Sequence, residues 1–103
     1  MRRSPQNYDV MVVGICTVEL HIPDSGSLKG KRQVIKSIKD RIRQNYNVSV
    51  AEIDGLDLWQ KAVLGIACVG NEKRYINGVL DKIVGFLQDN HSVELLKYHI
   101  EFL

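Results

Sequence analysis

The chain has 103 residues, 45% hydrophobic and 25% charged, enough apolar material for one packed domain and too much for a disordered chain. The net charge of +2 excludes little, but seven of the 14 Lys and Arg residues fall between Lys29 and Arg43, where Asp40 is the only acid. No apolar run is long enough for a transmembrane helix, and MRRSPQNYD at the start lacks the apolar core of a signal peptide.

Residues 1–9 are accordingly expected to form a flexible leader ahead of a single domain over 10–103, in a cytoplasmic protein. Cys16 and Cys68 show no CxxC or Cys/His ligand spacing. They read as reduced, buried small side chains rather than metal ligands.

Val10 to Ile22 (VMVVGICTVELHI) is β-branched and stops at Pro23, which predicts a strand. Val18, Leu20 and Ile22 share one face with Glu19 and His21 on the other, while the first half is apolar on both faces. Ser27 is a candidate N-cap for a helix over Leu28–Gln44, with Leu28, Val34, Ile35, Ile38 and Ile42 on one side. Tyr46–Asp54 is a second strand, turning at Gly55-Leu56-Asp57 into a third over Leu58–Val69. Asn71 is read as the cap of a second helix, Glu72–Asp89, with Ile76, Val79, Leu80, Ile83 and Leu87 as its stripe. In Ser92–Leu103 the apolar Leu96, Tyr98, Ile100 and Phe102 alternate with Lys97, His99 and Glu101, a fourth strand.

The order is βαββαβ. Two right-handed crossovers joined by a hairpin give a ferredoxin-like α+β sandwich: a four-stranded antiparallel sheet with two helices on one face. Strands apolar on both faces belong at the centre, so the first and third strands are central and the other two are edges. Both helices cover one face, which leaves Met11, Val13 and Ile15 on the open one, with Trp59 at the end of the third strand. Apolar patches of that kind mark interfaces, so a homo-oligomer, in the simplest case a dimer, is expected through these four residues.

The stretch SLKGKRQVIK (27–36) is not a nucleotide-hydrolysing P-loop. That motif needs G-x-x-x-x-G-K-S/T; from Gly26 this one is a residue short, and Arg32 stands where the hydroxyl belongs. A weaker anion site at the helix start, through Ser27 and Lys31, remains an expectation. At about 100° per residue, Lys29, Arg32, Lys36, Lys39 and Arg43 fall within an arc roughly 80° wide. Lys31 and Arg41 are expected at the margins of the apolar side, with snorkelling stems. A solvated face ordinarily mixes signs to gain i,i+4 pairs; this one forgoes them, as an electrostatic footprint for a polyanion does. The stripe has no Asn, Gln or Ser to read base edges, and the central strands lack the aromatic platform of an RRM. Contact with the backbone of structured RNA is what remains, sequence-independent and salt-sensitive.

Other groups carry less. His21, His91 and His99 are scattered and too few for a metal site, and no cofactor is indicated. Glu52, Asp54 and Asp57 read as a solvated turn. No nucleophile elbow, Cys–His pair or dinucleotide loop is present, so no catalytic residue is named and a non-enzymatic role is expected.

The segments SLKGKR (27–32), NVSVAE (47–52) and DLWQKA (57–62) resemble the YlxP-like family of small bacterial proteins, a domain of unknown function. The resemblance runs through nearly all of the chain after the leader. It departs at Gly26 and Gly30, where charged residues are expected in relatives. The resemblance implies a ferredoxin-like fold and, because the family's genes often lie among those for translation initiation and ribosome maturation, a connection with ribosomal RNA. The alternative function is a dimeric small-molecule-binding or scaffold module. An acylphosphatase-type enzyme ranks third, since no Arg-bearing loop follows the first strand directly.

Overall fold

The computed structural model describes residues 10–103; the expected leader, 1–9, lies outside them. The elements are β1 (Val12–His21), α1 (Leu28–Asn45), β2 (Ser49–Asp54), β3 (Lys61–Gly70), α2 (Lys73–Asp89) and β4 (Glu94–Phe102). Every strand pairing is antiparallel, and the sheet order is β2-β3-β1-β4. This is the βαββαβ sandwich expected from the sequence, with the two strands that are apolar on both faces at the centre.

The period-two pattern decides which face of each strand is buried. Cys16, Val18 and Leu20 point to the helices from β1, with Ile22 buried just after it, and Ala62, Leu64, Ile66 and Cys68 from β3. They meet Ile35, Ile38 and Ile42 of α1 and Ile76, Leu80, Ile83, Val84 and Leu87 of α2. Each buried Val, Leu or Ile among them contributes about 1.5–3 kcal/mol through burial. Helix α2 crosses close to β1 at Gly14, where a Cβ would stand only 2.6 Å from Ile76 Cγ2. No described helix is long and apolar enough to cross a membrane.

Several boundaries differ from expectation. The third strand starts at Lys61, not Leu58, because residues 55–60 form a hairpin loop in which Leu58 N–H bonds back to the Gly55 carbonyl at 3.0 Å. Helix α2 is capped from Glu72, which gives no side-chain hydrogen bond, and not from Asn71. In β4 the register shifts opposite Glu19/Leu20, so that Leu95 faces Leu20 and Lys97 faces Glu19. Leu96 becomes the extra residue of a bulge and is exposed, and Leu95 takes the place expected for it against the core.

Candidate functional site

Helix α1 starts because Ser27 Oγ accepts the Gly30 N–H at 3.0 Å, filling one of the orphan donors of the first turn. Its apolar face then anchors it on the sheet and leaves Lys29, Arg32, Lys36 and Arg43 exposed and Lys39 half-buried. Arg43 fixes the direction of this flank. Its guanidinium donates to the carbonyl of Val50 at 2.9 Å, so the basic stripe runs along the side of α1 nearest the edge strand β2. Arg41 faces the other way, 5.1 Å from the centre of the Phe86 ring on α2.

One carboxylate lies within the stripe. Asp40 is 2.8 Å from Lys36 Nζ and 3.7 Å from Arg43 Nη1. The Lys36 hydrogen bond, more than the charges of Lys36, Arg43 and Lys39, holds the Asp40 carboxyl below its ordinary value of 3.8. Asp40 therefore stays ionised and offsets one of five positive charges. Lys29, Arg32 and Lys39 have no ion-pair or hydrogen-bond partner among the described residues.

The two residues expected to hold an anion at the helix start are placed otherwise. Ser27 spends its oxygen on the cap. Lys31 is 0% exposed, inside the apolar face and not at its margin. Its ammonium donates to the carbonyls of Gly55 and Leu56 and stands 2.8 Å from Glu52 Oε2. That oxygen has no aligned hydrogen bond from any group, so the contact is an ion pair held by charge and proximity. The cleft of about 270 Å³ at the helix start is lined by Asp24, Ser25 and Gly30, and the Asp24 carboxylate there opposes an anion.

The Lys31–Glu52 lock is what the sequence reading missed. By its place in the chain Glu52 reads with Asp54 and Asp57 as a solvated turn, but only those two are exposed. The signal was present: 31, 35, 38 and 42 are spaced i, i+4, i+7, i+11, so Lys31 occupies the centre of the isoleucine stripe.

The proposed interface residues separate into two places. Val13 and Ile15 lie half-buried on the open face, opposite Val69 and Ala67 of β3, and Ile53 of β2 folds across Gly65 beside them. Met11 precedes β1 and is exposed. Trp59 is not on the sheet at all; it projects from the β2–β3 loop. The far end of the open face is ionic. Glu19 meets Lys97 at 2.9 Å and Lys61 at 3.4 Å, and His21 meets Glu94 at 3.4 Å; His99 and Glu101, 3.7 Å apart, instead stand on β4 opposite Thr17 and Ile15, flanking the apolar end. The Lys97 hydrogen bond foremost keeps the Glu19 carboxyl below its usual 4.5.

Cys16 and Cys68 are free and buried. Burial, helped by the Asp81 charge, pushes the Cys16 thiol up to about 11, and burial raises Cys68 as well. Neither is a nucleophile near neutral pH.

Comparison with known proteins gives three findings. The family model described as "Protein of unknown function (DUF503)" matches residues 13–100. The uncharacterized protein YlxP of Bacillus subtilis (strain 168) is 35% identical over 83 residues, covering 81% of this chain and 90% of that one. Among solved structures, the de novo designed protein Foldit4 aligns with a TM-score of 0.50 at 14% identity, covering 90% of this chain and 96% of its own, a likeness of fold alone.

Proposed function

The chain belongs to the DUF503 family of proteins of unknown function, and from that premise we propose that it is a non-enzymatic, cytoplasmic factor that binds ribosomal or other structured RNA through the basic flank of α1. The observation that carries the reading is the alignment of Lys29, Arg32, Lys36, Lys39 and Arg43 along one side of the helix with a single carboxylate among them. Side chains of this kind grip phosphate oxygens without regard to sequence. From β1 and β3 the open sheet face presents no Phe, Tyr or Trp to stack on a base, and its one ring on those strands, His21, lies 3.4 Å from Glu94.

Lys29→Glu, Arg32→Glu and Lys39→Glu together test this. They reverse the three cations without partners and spare Lys36 and Arg43, which also serve the helix and the β2 edge. The triple variant should keep its far-UV circular dichroism and lose co-sedimentation with ribosomal particles. In the wild type, five phosphate contacts give a slope of log K against log salt of about −4. Undiminished co-sedimentation of the reversed protein refutes the reading.

A second copy of the chain is the other partner we propose, because Val13, Ile15, Ala67, Val69 and Ile53 collect at one end of the uncovered sheet face. Sedimentation equilibrium that returns only the 11.7 kDa monomer at high concentration refutes it.

A further inference from the structure

The β2–β3 hairpin ends in an apolar tip. Within 55–60 (GLDLWQ), Leu56, Leu58 and Trp59 are 55%, 51% and 54% exposed. Large apolar side chains gathered in water where a polar turn would serve call for a partner, and this tip is held firmly.

Gly55 takes the left-handed backbone at φ 75°, and its N–H donates to Asp54 Oδ1 at 2.8 Å. The Lys31 ammonium binds the Gly55 and Leu56 carbonyls from below. At the other end, Ile22 N–H donates to the Gln60 carbonyl at 2.9 Å and the Gln60 side-chain amide donates to the Ser25 carbonyl at 3.1 Å. Ser25 in turn donates from its hydroxyl to the Ser27 carbonyl at 3.0 Å. The tip is thereby fastened to the segment that opens α1. Lys31 sits between Lys29 and Arg32, which have no ion-pair or hydrogen-bond partner among the described residues.

We propose that Trp59 is a stacking platform for an unpaired base of an RNA whose phosphates lie on Lys29 and Arg32. This rests on the RNA reading of the α1 flank and narrows its ligand to a single-stranded stretch. An exposed indole offers a face that any base can cover, and single-strand binders join such rings to neighbouring cations. In a duplex the bases stack on one another and are withheld from the ring. Charge decides how the strand lies. Asp54 and Asp57 on the hairpin repel phosphate, so the backbone keeps to the helix side and the base turns toward Trp59.

Trp59 is the chain's only tryptophan, so its emission reports the contact directly. The full chain is titrated with oligouridylate and with a blunt RNA duplex of equal length. The single strand should bind more tightly and quench the emission. Trp59→Ala should weaken binding by about tenfold, Trp59→Phe should keep most of the affinity, and Trp59→Leu, apolar but without a π face, should behave like the alanine variant. Full affinity in Trp59→Leu overturns the proposal and assigns the tip to an apolar contact such as protein docking. Unquenched emission with binding still lost in the Lys29→Glu, Arg32→Glu, Lys39→Glu variant overturns stacking and leaves the basic flank standing. No binding of either RNA removes both.

Discussion

Lys31→Met keeps the stem of a fully buried side chain and deletes its ammonium. Glu52, 2.8 Å away, loses its counter-charge, and the carbonyls of Gly55 and Leu56 lose a donor. Removing one partner of a buried pair costs about 3–5 kcal/mol, because the other charge is left behind uncompensated. The Glu52 side chain is 15% exposed, so some water reaches it and the lower figure, about 3 kcal/mol, applies. Methionine fills nearly the same volume, so little is added for a cavity. In a domain of this size that loss lowers Tm by roughly 12–24 °C. The companion variant Lys31→Met/Glu52→Leu should regain most of it, since an apolar pair in place of a buried ion pair is often neutral or stabilising. Urea denaturation followed by far-UV circular dichroism, on the wild type, both single variants and the double, gives the coupling energy. About 2 kcal/mol or more is expected. A Lys31→Met protein within about 1 kcal/mol of wild type, or a double variant as unstable as the two singles added, refutes the account of the lock.

Ser27→Ala removes the acceptor for Gly30 N–H and should cost about 1 kcal/mol, with Ser27→Asn close to wild type, both read by thermal denaturation. Asp40→Asn removes the one carboxylate of the stripe, freeing Lys36 and Arg43; RNA affinity should rise in a filter-binding titration, and an unchanged or lower affinity counts against phosphate contact by this flank. Glu19 titrates below its usual 4.5 in the folded chain. A depressed carboxyl stabilises the fold above its unfolded-state value and loses that contribution as pH falls through the folded one. The stability gap between wild type and Glu19→Gln should therefore be widest above pH 4.5 and close in stronger acid; a gap that widens toward acid contradicts the ion-pair assignment.

The fold was legible because its evidence is local. Strand period two, helix period 3.6 and the Ser27 cap are written within each segment, and two strands apolar on both faces identify the centre of the sheet. The Leu96 bulge was not, since alternation within β4 says nothing about where β1 changes register against it. Trp59 reads as part of β3 because it opens the apolar run that becomes the strand, yet the hydrogen bonds of the hairpin end the loop only after Gln60. For the basic flank, spacing along α1 was enough to align the five side chains.

Taken alone, the sequence determined the element order, the two central strands and the gathering of positive charge on α1, because each follows from neighbours a few positions apart. Only the tertiary structure decided that Lys31 turns inward to Glu52 while Lys29 and Arg32 stay in water, and that Leu58 and Trp59 stand off the sheet on a fastened hairpin. A charge is bound or free according to which carboxylate arrives from a distant strand, and that is settled when β2 and β3 close their hairpin against the start of α1.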